Sequence, residues 1–420
     1  MKHTKTKPKP KTKIKTKLKA NDHAAIHDPR TLLGGISPAQ FMAEYWEKKP
    51  LLIRGALPGL VPPVPLTQLK RLSRRDDVES RLIWRENEEW CMEQGPFDHL
   101  PRAIEKEWTL LVQGVDLHDD VASDLLHQFN FVPAARLDDL MISYATDGGG
   151  VGPHVDSYDV FLIQAYGNRR WRYGAQKDLS LVPDLPLKIL ANFTPEFDEV
   201  LEPGDMLYLP PHLAHDGVAV GNCMTLSVGF RAPDAATLAR GMLEAASDQI
   251  AARSGAGQSA FASPPLPGPS LKKRFKDPKQ SAVTEPSALP KKLIDATCDS
   301  VKKLKFDRKL AKRYLGCWLT EPHPLAVFKP TKHRAKLPHA LKDMAQGYWR
   351  LDRRTRMLYN GKVLYINGEV ASLKAKKLLR TLANNRSLDS NTLKSSPEAE
   401  DILDYLNEWT RDGWLHWQPT

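Results

Sequence analysis

The sequence predicts an α+β protein built around a sandwich or barrel of short strands, followed by a smaller α/β unit. Three observations carry this. From about residue 137 to 231 the β-type runs "LMISYA", "VFLIQAYG", "RRWRYG", "EVLEPGDMLYLPP", "HDGVAV" and "CMTLSVGFR" are broken by Gly and Pro, the texture of a sandwich or barrel. Pro233 to Arg253 spaces its apolar residues at helical intervals with Pro near the start,. Near the C-terminus, "RTRMLYNGKVLYINGEVAS" holds two Asn-Gly steps between β-type runs, the strongest short hairpin signal. Helical segments such as "AEDILDYLNEWTRDG" flank it, which predicts a winged-helix-like domain.

The chain has 420 residues, so two or three domains are expected. Its net charge of +11 is concentrated at one end: "MKHTKTKPKPKTKIKTKLKA" contains nine Lys and no acid, leaving about +2 for the remainder,. Such a segment cannot bury enough apolar area to offset the entropy of ordering, so residues 1–30 read as a disordered tail. It has neither the apolar run of a secretory signal nor the Arg-rich, Ser-rich character of a mitochondrial presequence. Two roles stay open for it, a solubilising arm and an electrostatic tether making weak contact with RNA. Cys91, Cys223, Cys298 and Cys317 are scattered without zinc or disulfide spacing, which fits a reducing cytoplasm. No apolar run approaches the roughly 18 residues of a membrane span.

Order is expected to begin near residue 31. "ISPAQFMAEYWEKKPLLI" reads as a helix with Ser37 as N-cap, Pro38 at its first position and Gln40 closing a capping box, then a strand after Pro50,. Trp108 to Val115 reads as a strand. His118 and Asp120 follow where acids mark a helix start and suit its dipole, so that His-x-Asp pair is assigned to the helix. The expected division is a barrel domain with N-terminal helices over 31–232, a helical region over 233–320 and the winged-helix-like domain over 321–420. Within the second, 254–290 is rich in Gly, Pro, Ser and Lys and reads as a flexible linker.

A second His-x-Asp pair, His154 and Asp156, stands in "GGGVGPHVDSYDVFLIQAYGNRRWRYG". If "PHVDSYDVFLIQ" is a strand, the two side chains share one face, and the glycines and Pro153 before them place the pair at a strand's mouth. A third ligand must then come from elsewhere. "LEPGDMLYLPPHLAHDGVAV" offers His212 and His215 after a double proline, and a jelly-roll barrel brings early and late strands together across its interior. Two His and one carboxylate cover one face of an octahedral Fe(II), leaving positions open for a cosubstrate and oxygen. A structural zinc site would close four positions, usually with thiolates. Ordinary surface or turn histidines remain the competing reading.

These stretches, with "LEPGDMLYLPP...HDG", "SVGFRAP" and "FMAEYWEKKPLLIRGAL", closely resemble the bacterial ribosomal oxygenases, a JmjC/cupin-like group of Fe(II) and 2-oxoglutarate dependent hydroxylases. The resemblance spans roughly residues 31 to 420 and is strongest over 137–233. It implies a double-stranded β-helix (jelly-roll) barrel, a helical dimerisation region and homodimer, and a C-terminal winged-helix-like domain. It places iron on His154, Asp156 and His215, with His212 a turn residue. It puts the distal carboxylate of 2-oxoglutarate on Arg169, with Ser143 as a hydroxyl partner and O2 as second cosubstrate. A guanidinium suits a carboxylate because its fixed fork matches two oxygens. Arg170 and Arg172 are rivals, but on a strand Arg169 and Arg170 face opposite ways.

The implied activity is hydroxylation of an arginine side chain in a large-subunit ribosomal protein, protein 16, in the cytoplasm. Asp147, Asp159, Asp216 and Tyr158 are candidates by location for holding that arginine. Rival readings are a histidyl hydroxylase or lysyl demethylase on the same barrel, and a non-catalytic RNA-binding winged-helix protein. Near-balanced charge outside the tail argues against the last.

Overall fold

The computed structural model describes residues 29–87, 89–254, 268–269, 271, 273–330, 340–341, 344–374 and 376–419. The Lys-rich tail and part of the 254–290 stretch lie outside them. The first described element is a short helix, Pro29–Leu32, followed by the expected helix Pro38–Glu44. Ser37 Oγ accepts the Gln40 N–H at 3.1 Å, satisfying an otherwise orphaned amide.

Nine strands form one sheet: β1 (Leu51–Ile53), β2 (Ser80–Glu86), β3 (Glu89–Gln94), β4 (Trp108–Val112), β5 (Leu137–Ala145), β6 (Val160–Gly174), β7 (Phe197–Leu201), β8 (Met206–Leu209) and β9 (Ala214–Phe230). The order is β1-β8-β6-β9-β5-β4-β2-β3, with β7 on β6. Strands β6 and β9 pair antiparallel from Val160↔Gly229 to Gly174↔Ala214, with register shifts between Gln164 and Asn168. The shifts bend the ribbon so that its two halves serve two layers. Gly167 sits at the bend with φ +61°, and a Cβ there would lie 2.1 Å from Asn222 O, so only glycine fits.

Alternation along these strands divides the side chains between two cores. One face packs Leu110, Ile142, Phe161, Tyr208 and Leu226 against the N-terminal helices. The other turns Val160, Leu162, Trp171, Tyr173, Leu207 and Leu209 between the layers. Trp108 to Val115 is a strand only to Val112, because Gly114 takes a left-handed conformation and a single 3-10 turn follows. Asp119 caps the next helix, Asp120–Leu126, by accepting the Val121 and Ala122 amides. His118 and Asp120 thus belong to a helix start, as expected.

Helix Ala235–Ser254 follows the barrel, and helix Lys291–Val301 stands after the linker. Helix Arg308–Trp318 connects the halves. Its Leu310 and Tyr314 pack on Ala245 and Ala246, and its Cys317 packs on Tyr365. The C-terminal unit holds two three-stranded sheets, one from β10 (Gly347–Leu351), β14 (Ser387–Asp389) and β15 (Leu415–Pro419), the other from β11 (Met357–Asn360), β12 (Val363–Ile366) and β13 (Glu369–Lys374). Both Asn-Gly steps turn β11 into β12 and β12 into β13. Helices Lys377–Asn385, Ser390–Lys394 and Ala399–Arg411 complete it.

Arginines of this unit dock on the barrel's helix start. Arg353 bonds Asp120 and the Leu117 carbonyl, both at 2.9 Å, and Arg350 bonds Asp124 at 2.6 Å. Beneath them Asp116 is buried and accepts the Leu140 amide at 2.9 Å. Burial pushes its carboxyl up to about 6,. The folded state therefore favours the protonated form, and that favourable contribution is lost as pH rises through about 6,. Asp116→Asn keeps the acceptor without the charge. Calorimetry should show its melting midpoint gaining on the parent between about pH 4 and about pH 6, then a constant difference above,. A difference that does not vary with pH would contradict this account.

Candidate metal centre and its neighbouring arginine

The candidate ligands come from three local environments. His215 is the second residue of β9, held in register by Tyr173 of β6. His154 is not in a continuous strand: it forms an isolated antiparallel bridge with His215, each N–H donating to the other's carbonyl at 2.9 Å. Asp156 sits in the loop before β6, which begins only at Val160. The expectation of one strand through "PHVDSYDVFLIQ" is therefore corrected. The His–Asp pair is assembled by a bridge and a loop, since Gly152 and Pro153 interrupt regular pairing.

The three side chains nonetheless converge, with one ligand atom from each lying within 4.8 Å of the others. His154 Nε2 is 3.9 Å from Asp156 Oδ1, and His215 Nε2 is 3.7 Å from Asp156 Oδ2. The two imidazole centroids are 4.2 Å apart. His154 Nδ1 donates to the Gly152 carbonyl and His215 Nδ1 to the Leu213 carbonyl, each at 2.9 Å. A carbonyl oxygen can only accept, so each ring carries its proton on Nδ1 and leaves the Nε2 lone pair facing the carboxylate. Burial, with the neighbouring His154, pushes His215 down to about 3, which keeps it neutral as ligation requires. Burial raises the Asp156 carboxyl, opposed by His154 and the Tyr158 hydroxyl. Two imidazoles and one carboxylate whose Nε2 and carboxylate oxygens face one another are a donor set that fits a divalent transition metal,.

His212 separates from His215 on geometry. Its side chain is exposed, its backbone is left-handed at φ +62°, and its N–H donates to the Asp156 carbonyl at 2.7 Å. It is a turn residue that braces the Asp156 loop.

Arg169, on β6, is 3% exposed. Nη1 donates to Ser143 Oγ at 3.2 Å and Nη2 to the Gly217 carbonyl at 3.0 Å, while Nε has no partner. Ser143, buried on β5, passes a bond on to the Thr225 carbonyl. Burial lowers the Arg169 pKa, but a guanidinium stays charged. A buried charge with no carboxylate beside it is costly unless an anion arrives. Among the described residues Arg169 forms no ion pair, and its rivals do: Arg170 pairs with Asp198 on the exposed face and Arg172 with Asp216. Gly217 makes the space, since a Cβ there would lie 2.8 Å from Arg169 Nε and 2.7 Å from the Trp171 ring.

Two of the four acids and phenols expected at the mouth are elsewhere. Asp159 is fully buried in the large core, accepting the Tyr208 hydroxyl at 2.6 Å, because it immediately precedes the apolar run of β6. Asp216 is buried and committed to Arg172. Asp147 lies exposed just past the end of β5, paired with Lys106, and Tyr158 is exposed beside Asp156. Sequence reasoning did not single out Gly217, Arg81 or Thr109. Arg81 is close enough to Asp156 to lower its pKa, and Thr109 is buried with an unpartnered hydroxyl. Single polar residues at alternate strand positions carry no motif, and only their facing could have flagged them.

Comparison with known proteins agrees with this geometry. Residues 124–238 match the JmjC domain family and residues 303–416 match the ROXA-like winged helix family. One segment of the chain is thus like a JmjC domain and another like a ROXA-like winged helix. It is 39% identical over 205 residues to the ribosomal protein uL16 3-hydroxylase of Escherichia coli K12, covering 49% of this chain and 55% of that protein. It is 37% identical over 212 residues to a probable ribosomal oxygenase of Haemophilus influenzae, covering 49% and 52%. The chain thus spans about half the length of the curated relatives it matches. An E. coli YcfD crystal structure superposes with a TM-score of 0.73 at 28% identity, covering 91% of this chain and 98% of that one. Another, of the YcfD ribosomal oxygenase with cobalt and 2-oxoglutarate, gives 0.72 at 28%, with the same coverage. The JmjC-domain barrel is therefore the double-stranded β-helix of the cupin class.

Calorimetric titration with Co(II) should show one tight site. His215→Ala should weaken it by about a hundredfold or more, and His212→Ala should leave it unchanged. Equal effects of the two substitutions would remove His215 from the ligand set.

Proposed function

We propose that the chain is an Fe(II) and 2-oxoglutarate dependent protein hydroxylase acting on an arginine side chain of a large-subunit ribosomal protein, protein 16. The carrying observation is that one strand pair, β6 with β9, places a buried, unpaired Arg169 next to a convergent His154, Asp156 and His215. The names of the relatives, a uL16 3-hydroxylase and a ribosomal oxygenase with 2-oxoglutarate, support the substrate and cosubstrate.

His154, Asp156 and His215 would hold the iron, and Arg169 with Ser143 would hold the distal carboxylate of 2-oxoglutarate. With O2, the iron and 2-oxoglutarate supply the oxidising power that puts one oxygen atom into a carbon–hydrogen bond and leaves succinate and CO2. The residues of the chain orient and exclude. Arg169 fixes the cosubstrate through two directed bonds, the Gly152 and Leu213 carbonyls fix the imidazole planes, and Trp171, Leu207 and Leu209 keep water from the space between the layers. Asp147 and Tyr158 are the remaining candidates for receiving the substrate guanidinium. A ribosomal substrate places the protein in the cytoplasm. Among the described residues no helix is long and apolar enough to cross a membrane.

Anaerobic reconstitution with Fe(II), followed by oxygen, 2-oxoglutarate and fragments of protein 16, should add one oxygen atom to an arginine, detected by mass spectrometry. His154→Ala should abolish product. Arg169→Ala should raise the KM for 2-oxoglutarate by about a hundredfold, as expected for losing a bidentate charged contact, while retaining Co(II) binding. Oxidation of a histidine, or loss of methyl from methyl-lysine, would move the reading to the rival substrates. That histidyl and lysyl chemistry is in the name of the NO66 protein of Dictyostelium discoideum, 37% identical over 93 residues that cover 20% of this chain and 18% of that protein. No succinate with any fragment would defeat the proposal.

The homodimer belongs to the same reading, with 233–320 as its helical region. Helix Lys291–Val301 buries no residue yet exposes Leu293, Ile294 and Val301, an apolar stripe that a second copy would cover. Light scattering should give twice the chain mass, falling to one for Leu293→Asp with Ile294→Asp. A parent of single mass would overturn it.

A further inference from the structure

The barrel chemistry leaves one feature of the winged-helix unit unused. Strands β11 to β13 and helix Lys377–Asn385 enclose an open groove of about 560 Å³ lined by Tyr359, Lys362, Lys374, Lys376, Lys377 and Arg380, with Glu398 its single carboxylate. Lys376 is paired with Asp401 at 3.3 Å. Arg380 donates to the Gly361 carbonyl at 2.6 Å and sits 5.2 Å above the Tyr359 ring. Lys362, Lys374 and Lys377 are exposed and form no ion pair among the described residues. Like charges gathered in one groove repel one another, and among the described residues these three have no ion-pair partner to offset it.

The neighbouring helix, which reaches the groove through the Asp401–Lys376 pair, has the opposite sign. Helix Ala399–Arg411 exposes Glu400, Asp401, Asp404 and Glu408. It follows helix Ser390–Lys394 after a short turn, the order in which a helix-turn-helix offers its second helix to the major groove of DNA,. Its carboxylates would repel phosphates, so duplex reading by that helix is disfavoured. The near-balanced charge of the chain outside its tail therefore conceals a segregation into a basic groove and an acidic helix.

We propose that the groove binds single-stranded RNA, with phosphates held by Lys362, Lys374 and Lys377 and a base stacked at the Arg380–Tyr359 pair. Cations alone would serve an acidic peptide equally well. The planar guanidinium and phenol, and the Asn384 side chain that shares a hydrogen bond with the Tyr359 hydroxyl, add the stacking surface and polar edge that an unpaired base uses. Arg380 is already fixed by the Gly361 carbonyl, which lowers the ordering cost of binding.

The test uses the full chain and the anisotropy of a labelled oligouridylate over a range of salt. The variant K362E/K374E/K377E should lose about tenfold or more in affinity, and the slope of log K against log salt should fall by about 2, the release expected from three single-strand phosphate contacts. K362Q/K374Q/K377Q should show the same slope change without introduced acids. K273E/K276E/K279E, in an exposed segment after residue 272, makes the same change of net charge and should keep the parental slope. Parental binding by the groove variants, equal loss in the control, or no binding of RNA by the parent would overturn the proposal. Displacement of the RNA by oligoglutamate at equal charge concentration would reassign the groove to an acidic peptide.

Discussion

The pairing of β6 with β9 is the constraint on which the rest of the molecule depends. These are the longest strands of the barrel, and their shared bend makes one ribbon belong to both layers. The pairing fixes His215 opposite Tyr173 and Arg169 opposite Ala219, and through the two-bond bridge it fixes His154 as well. A slip of one residue would turn His215 and Arg169 to opposite faces. Register, fixed by the apolar face packed against the N-terminal helices, therefore decides whether any site exists.

Within that frame the electrostatics are unbalanced by design. The buried Asp352 is matched by Arg354 and His416. Arg169 is the contrast, with two neutral acceptors and one orphaned donor. Holding a guanidinium in that state lowers stability, and an arriving carboxylate relieves the cost. Affinity for an anion and local instability without it are two expressions of one arrangement.

Much of this was legible before any coordinates. Ser37, the acids that open the helix after His118 and the two Asn-Gly turns speak through chemistry confined to a few neighbouring residues, and each was placed correctly. The ligand residues were legible as residue types, and strand alternation separated Arg169 from Arg170. What alternation could not foresee was where pairing stops. His154 and Asp156 fall outside β6, so their facing follows from a bridge and from the brace of the His212 amide. Asp159 was misjudged for a related reason. Nothing local indicates that a carboxylate three residues beyond Asp156 turns into the core to meet Tyr208, 49 positions away. The grouping of Lys362, Lys374 and Lys377 in one groove was also beyond the charge balance, since a sum over residues contains no information about their arrangement in space.

That arrangement sets a cluster of cations beside a row of carboxylates in the winged-helix unit. A polyanion approaching such a surface is drawn towards Lys362 and Lys377 and repelled by Glu400 and Asp404. Encounters would then begin from one orientation instead of many. Isoelectric point, which is blind to orientation, is therefore a poor guide to what this part of the chain will meet.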